Sequence, residues 1–462
     1  MTDTPRDREA VAADASLAVD VVLRLGAVML AAGSPTDDVE RAMRVAADGV
    51  GLGRATAVVS FGTISLSYFP GPAAQPVTAI QMVPERVTDY RRLSAAAKLV
   101  RNLREGSTDL RGAAAEIDRI AELTTAWPEP LTSLAQAGSA AASTVLFGGS
   151  ALDALATLVI GMLVQPIVVR LDGSGLPPFF RSLLGPLASS VLVALAVAVG
   201  APINAALVLT GSLLRFLPGA ALVAGMRDLI DQSIISGSAR LAEALLLGAA
   251  VATGTAIGIS LASQLGVPLE VGLPETEGIQ FLVQVVAAAF ACGFWAVRLG
   301  EPSFALFTAS VLGAVGWGVY LFAAPLGLGS VVTTALAGIV VGTFGRILAR
   351  RAESPAVLWV VPASLPLLPG LLIVNGMLAA NLTAGLLQLS TAVATALALG
   401  AAVAFGDIVV QTVRTVRDEI IDPAMQPVGH VVQAGIDAVT RPRGGTTDEA
   451  DKEKERLGAH EP

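Results

Sequence analysis

Leu217-Pro218-Gly219-Ala220-Ala221-Leu222-Val223-Ala224-Gly225-Met226 recurs as Leu368-Pro369-Gly370-Leu371-Leu372-Ile373-Val374-Asn375-Gly376-Met377. A second block agrees at nearly the same offset: Gly248-Ala249-Ala250-Val251-Ala252-Thr253-Gly254 matches Gly400-Ala401-Ala402-Val403-Ala404-Phe405-Gly406. Alanine-rich matches arise easily in apolar sequence. A Leu-Pro-Gly block followed by Val and Gly-Met does not. Proline removes a backbone donor and glycine loosens the chain, so each copy should break a helix. In lipid the freed carbonyls need partners, and such breaks persist where they face protein or a wet cavity.

Working outward from the repeat, apolar runs of about 20 residues, the length that crosses a bilayer, follow one another. They fall at Leu131–Phe147, Ala151–Val169, Phe180–Val199, Ile203–Met226, Leu241–Leu265, Gly278–Val297, Ser303–Ala323, Gly329–Leu348, Ala356–Met377 and Leu386–Val410. The first two are the least clearly separated. The first Leu-Pro-Gly copy lies in the fourth run and the second in the ninth. An odd number of spans separates them, so the copies should run in opposite directions. The expectation is a mainly α membrane protein of about ten helices in a five-plus-five inverted repeat, the build of many secondary carriers, with the substrate site near the midplane between halves.

The chain has 462 residues, 53% hydrophobic and 15% charged, with a mean hydropathy of +0.68. Soluble domains carry about 25% charged residues, and here the charges are concentrated at the ends. The net charge of −8 describes soluble faces and argues against nucleic acid, which calls for a basic patch. The single cysteine, Cys292, cannot form an intrachain disulfide or a paired-cysteine zinc site, and both histidines, His430 and His460, lie in the tail. No metal or cofactor is expected. The start, MTDTPRDREA, lacks the basic-then-apolar pattern of a signal peptide.

Lys and Arg in the short loops set the expected orientation. With the N-terminus in the cytoplasm, the inner loops carry Arg170, Arg181, Arg227, Arg240, Arg298, Arg346, Arg350 and Arg351, and Arg414 and Arg417 follow the last span. The outer loops, such as Gly148-Gly149-Ser150 and Gly200-Ala201-Pro202, carry none. Both termini should face the cytoplasm, in the inner membrane.

Residues 1–15 read as disordered, 16–127 as a small cytoplasmic α+β domain, 128–270 and 271–412 as the two membrane repeats, and 413–462 as a polar tail. In the front domain, Ser16 to Leu30 shows helical spacing. Ser34-Pro35-Thr36-Asp37 reads as a helix start, with Ser34 as cap and Pro35 in the first turn. Thr56 to Phe69 and Pro76 to Val83 read as strands joined by a turn at Gly71-Pro72. Thr88 to Arg104 and Thr108 to Leu123 read as amphipathic helices. Gly33-Ser34-Pro35-Thr36 could be a nucleophile turn, but the domain has no histidine to act as its base.

Candidate substrate groups lie around the breaks. The N–H groups after Pro218-Gly219 and Pro369-Gly370 favour an anion. Arg215, near the middle of its span, costs about 2.5–3.5 kcal/mol to insert and therefore needs a partner. That partner is a carboxylate, backbone carbonyls or water: the functional reading is an anchor for a substrate carboxylate, the structural one an ion pair with Asp407 or Asp153. Asp407, deep in the last span, is the better proton carrier. Asp153 is either a second carrier or a helix cap after Gly149-Ser150. Thr253, Thr255, Gln284 and Asn375 supply neutral hydrogen-bonding groups, each as readily helix–helix glue as ligand contact.

LRLGAVMLAAGSPTDDVERAMRVAADGVGL (Leu23–Leu52), the strand VVSFGTISLSY and the LPGxxLxxGMRDL segment at Leu217 resemble the threonine/serine exporter family. The second half resembles that family's shorter module. The resemblance covers about Ser16 to Val410. It implies a proton-motive-force-driven exporter of threonine and serine, with a cytoplasmic N-terminal domain and ten spans. Partners would then be these amino acids, protons and the lipid bilayer, with a homo-oligomer left open. The alternatives are a dicarboxylate (succinate-like) exporter, a membrane-anchored enzyme using the front domain, and a channel. No Gly-x-x-x-x-Gly-Lys-Ser/Thr loop is present to bind ATP.

Overall fold

The computed structural model describes residues 5–70, 75–83, 87–123, 126–269, 281–379 and 381–416. The front domain is built from α1 (Pro5–Ala31), α2 (Thr36–Gly49), β1 (Ala55–Ser60), β2 (Thr63–Tyr68), β3 (Val77–Met82), α3 (Tyr90–Arg104) and α4 (Leu110–Ala121). Helix α1 starts at Pro5, well before the expected Ser16, inside the stretch read as disordered. The single strand expected over Thr56–Phe69 is a hairpin, β1 and β2, turning at Phe61-Gly62. β2 then pairs antiparallel with β3. The turn expected at Gly71-Pro72 lies outside the described residues. One sheet face, through Ile64 and Leu66, packs on a core with Val21, Val22 and Leu25 of α1 and Leu93, Leu99 and Leu103 of α3. Alternation along a strand puts the other side chains outside.

The membrane part consists of α5 (Glu129–Leu146), α6 (Ala151–Asp172), α7 (Pro178–Ala198), α8 (Ala205–Leu213), α9 (Gly219–Ile230), α10 (Ile234–Gln264), α11 (Phe281–Arg298), α12 (Ser303–Ala323), α13 (Gly329–Arg351), α14 (Val357–Ala363), α15 (Gly370–Leu378) and α16 (Leu382–Val416). Among the described residues, seven helices are long and apolar enough to cross a bilayer, or nine if each of two bent pairs is counted as one span. Helix α5 has the length, 18 residues, but not the apolarity. The physical reason is its position. Ser133, Gln136, Ser139, Ser143 and Thr144 are buried inside the protein, so α5 answers mainly to neighbouring helices, with Leu131 and Leu134 on its exposed side. Large apolar side chains such as Leu163, Phe290, Phe307 and Phe322 face outward on the surrounding helices. The chain divides after Asp407 into two units, the second described only over the end of α16, residues 408–416.

Both expected breaks are present. Helix α8 passes through a 3-10 turn, Leu214–Phe216, before α9, with a bend of 48°. Helix α14 passes through Leu365–Leu367 before α15, with a bend of 51°. Their backbones match: Leu217 (φ −72°, ψ 132°) and Leu368 (φ −70°, ψ 132°) are extended, as a residue before proline prefers. Pro218 and Pro369 then open the following helices.

The half-helices meet tip to tip and part. A Cβ placed on Gly219 would lie 3.0 Å from the Leu368 Cβ, and one on Gly370 2.7 Å from the Leu217 Cβ. Gly225 of α9 packs on Arg240 and Leu241 of α10, whereas Gly248 packs on Ile373 and Met377 of α15 and on Pro218. Val251 and Ala252 cluster with Val374. From their common tip, α9 thus runs back toward the start of α10 and α15 runs toward its end. Helix α16 repeats the pattern, with Gly385 against Gly376 and Gly400 against Val223 and Met226.

The front domain packs on the membrane part. The Tyr90 amide donates to the Leu299 carbonyl (3.0 Å), the Trp127 indole N–H to the Glu301 carbonyl (3.1 Å), and Arg101 to the Glu353 carbonyl (2.8 Å).

Candidate functional site

Beside the joint lies a small polar cavity of about 10 Å³, lined by Gln136, Ser139 and Ser143 of α5, Leu214 and Arg215 of the first 3-10 turn, Trp295 of α11 and Leu365 of the second turn. Both breaks therefore contribute to one chamber. That volume suits about one water molecule, so the chamber is closed in this conformation.

Arg215 enters from the break, where the 3-10 turn aims it sideways off the helix axis. One terminal nitrogen donates to the Gly161 carbonyl at 3.1 Å and the other to the Gln165 amide oxygen. The guanidinium sits 5.2 Å from the Phe216 ring centroid, close enough for a cation–π contact. Among the described residues these partners hold the charge, and Asp153 is not one of them. Its Nε, shielded from solvent, has no hydrogen-bond partner among the described residues, and the same is true of the Trp295 indole nitrogen. An unmet buried donor is costly, so both are free to take an acceptor. Ser139 and Ser143 place their hydroxyls on backbone carbonyls, Ala291 (2.9 Å) and Ser139 (2.8 Å). Each hydroxyl oxygen keeps lone pairs to accept with.

The other expected residues are distributed differently. Pro218, Gly219, Pro369 and Gly370 form the joint itself, packed on one another. Asn375 is buried, its amide nitrogen without a partner among the described residues, on α15 beyond the joint. Thr255 is buried and bonds back to the Val251 carbonyl (2.8 Å). Thr253 is on the exposed face of α10, bonded to the Ala249 carbonyl (2.8 Å), so it lines no chamber. Gln284 accepts from the Trp317 indole (3.3 Å). Asp153 is the third residue of a capping box with Ser150, and it also accepts from the Asn204 amide at 2.6 Å. Its oxygens are committed to helix ends, the cap reading. Asp407 lies on α16, with its side chain outside the described residues.

Gln136, Ser139, Ser143 and Trp295 were not singled out from the sequence. The three α5 residues recur at spacings of three and four, a polar stripe along one helical face that could have revealed them.

The fold defines a multi-pass membrane protein in which two broken helices meet beside a small internal cavity. A family model described as "Putative threonine/serine exporter" matches residues 20–262, and one described as "Threonine/Serine exporter" matches 284–413. The chain belongs to the threonine/serine exporter family. A probable threonine/serine exporter of Mycobacterium tuberculosis (strain ATCC 25618 / H37Rv) is 28% identical over 407 residues, 86% of this chain and 77% of that protein. A threonine/serine exporter of Corynebacterium glutamicum is 27% identical over 415 residues, 86% of this chain and 83% of that protein. No solved structure matches the chain.

Proposed function

We propose that the chain exports threonine and serine from the cytoplasm by alternating access, driven by the proton motive force, with its halves arranged as a five-plus-five inverted repeat. The observation that carries this reading is the joint: two breaks of like backbone touch, their half-helices diverge, and a polar chamber lies beside them. In such a joint two near-equal packings can exchange inward and outward openings. A zwitterion suits the chamber. Its carboxylate would take Arg215 Nε–H and Trp295 N–H, and its ammonium the Gln136 carbonyl oxygen and serine hydroxyl oxygens. The substrate hydroxyl would share the same serines. The arginine-rich loops support an orientation with both termini in the cytoplasm and the chain in the inner membrane.

The energetics allow coupling. One charge crossing about 100 mV releases about 2.3 kcal/mol, enough for a concentration ratio of roughly 50. Asp407 is the candidate proton carrier. Asp153 is left to its capping role. The test is efflux of preloaded labelled threonine and serine from cells or proteoliposomes, with and without an uncoupler. Export that is absent, or indifferent to the uncoupler, would remove the substrate or the energy source from this reading. Export that survives Asp407→Asn with unchanged uncoupler sensitivity would remove Asp407 from coupling.

A further inference from the structure

The Gly33–Thr36 turn of the front domain is rigidly built. The Gly33 amide donates to the Leu30 carbonyl and the Ser34 amide to the Met29 carbonyl, each 3.1 Å, closing α1 with a Schellman cap. Gly33 sits at φ +93°, a conformation open to glycine at little cost. Pro35 then opens α2. Ser34 and Thr36 are each 1% exposed, although both belong to a polar turn at the edge of a soluble domain. Thr36 meets Asp228 of α9 in the membrane part.

Beneath the turn lies a second cavity of about 80 Å³. Its lining is mostly apolar and includes Gly33 and Pro35 of the turn, Ala224 and Arg227 of α9, Ser364 and Leu368. Leu368 is the residue that abuts Gly219 at the joint. The cavity therefore leads from the front domain to the point where the breaks meet. The turn is tied to α9 by polar groups. The Thr36 hydroxyl donates to Asp228 at 3.4 Å, and Asp228 pairs with Arg240 at 2.9 Å. Asp228 is 1% exposed, so its charge depends on Arg240. The Thr36–Asp228 hydrogen bond that ties the turn to α9 is long, and weak enough to open. The contacts of Tyr90, Trp127 and Arg101 hold the rest of the domain in place from its flank.

We propose that the Gly33–Thr36 turn is the cytoplasmic gate of the transport path: the front domain inserts it into the inner mouth, and substrate enters only when it withdraws. This rests on the exporter reading and gives the front domain a part in the cycle. The gate explains why the turn is stiff and buried while its tie is weak.

The test uses the full chain with Cys292→Ala, which removes its one thiol. Thr36→Cys with Asp228→Cys places two thiols across the tie. Because that pair strips Arg240 of its partner, Pro35→Cys with Ala224→Cys serves as a second lock across the same cavity. In proteoliposomes, oxidation should lower threonine and serine export by about tenfold or more, as for a lid held shut, and reductant should restore it. Full export by an oxidised, cross-linked protein overturns the gate. A separate arm reads the gate without transport. Ser364→Cys should react slowly with an impermeant maleimide from the cytoplasmic side and several-fold faster when Thr36→Ala is added. Equal rates overturn the gate. If the Cys292→Ala chain exports neither amino acid, the exporter reading fails while the labelling arm still decides the gate.

Discussion

Gly219 and Gly370 are in direct contact: a methyl group on Gly219 would lie 3.3 Å from the Gly370 nitrogen. The two half-helix tips thus share one point, and the glycines let their backbones approach as closely as small residues allow between membrane helices. Gly219→Ala must push Leu368, and Gly370→Ala must push Leu217, where the Cβ separation of 2.7 Å is shorter still. Overpacking of this kind costs about 1–3 kcal/mol. We expect both variants to melt earlier in detergent and export less, with Gly370→Ala the more affected. Wild-type melting and export in Gly370→Ala would show that the joint tolerates separation.

Arg215 spans two acceptors, the Gly161 carbonyl and Gln165, and keeps its Nε for a third. A lysine has one ammonium in place of the planar fork and cannot reproduce that geometry. Arg215→Lys and Arg215→Gln should each lower export by about tenfold or more, the size of effect expected when a buried charged hydrogen bond is lost, while membrane insertion judged by immunoblot stays normal. Normal export by Arg215→Gln would remove the guanidinium from substrate binding.

Glu301 carries a different kind of sensitivity. It is fully buried where the front domain meets the loop between α11 and α12, and neither carboxyl oxygen has a hydrogen-bond partner among the described residues. Burial pushes its pKa up to about 9. Tyr90 faces it, its own pKa raised by burial and then by Glu301, and Asp89 lies against neighbouring Gly300. The docked form therefore binds the proton that the exposed form gives up near the ordinary glutamate value. Docking is strongest in acid and weakens as pH rises from about 4.5 toward 9, by on the order of 3 kcal/mol at pH 7. Trp127 fluorescence should report looser docking at alkaline pH, and Glu301→Gln should abolish the dependence. A pH response unchanged in Glu301→Gln would place its origin elsewhere.

Asp153 separates capping from coupling. Its side chain accepts from Ser150 and from the Asn204 amide. Asp153→Asn should cost about 0.5–2 kcal/mol of stability, the usual cost of a lost cap, without altering uncoupler sensitivity. Uncoupler-insensitive export by Asp153→Asn would restore it as a proton carrier.

Much of the joint was legible in the sequence, because Leu-Pro-Gly is a rare string whose effect on a helix is local. Proline lacks its donor and the leucine before it is forced extended wherever the pair occurs. The front domain was legible to the extent that its helices alternate polar and apolar faces. The Phe61-Gly62 turn was missed although Gly62 is a turn residue, because strand-forming residues flank it closely on both sides in TAVVSFGTISLSYF. The chamber was hardest to read. Thr253 and Thr255 are two residues apart on α10, yet one faces outward and the other inward. A helix apolar on all sides offers no phase from which to choose between them.

The amino-acid sequence by itself determined that this is a membrane protein, where its apolar helices lie, where two of them break, and which loops hold its arginines. These follow from the transfer of residues into lipid and from backbone chemistry a few positions long. Only the tertiary structure decided that the breaks touch, that Arg215 and Trp295 share a chamber with the serines of α5, and that Gly33 and Pro35 line a cavity together with Leu368 of the joint. Those outcomes depend on which faces of nearly uniform helices meet, and close packing between distant segments makes that choice.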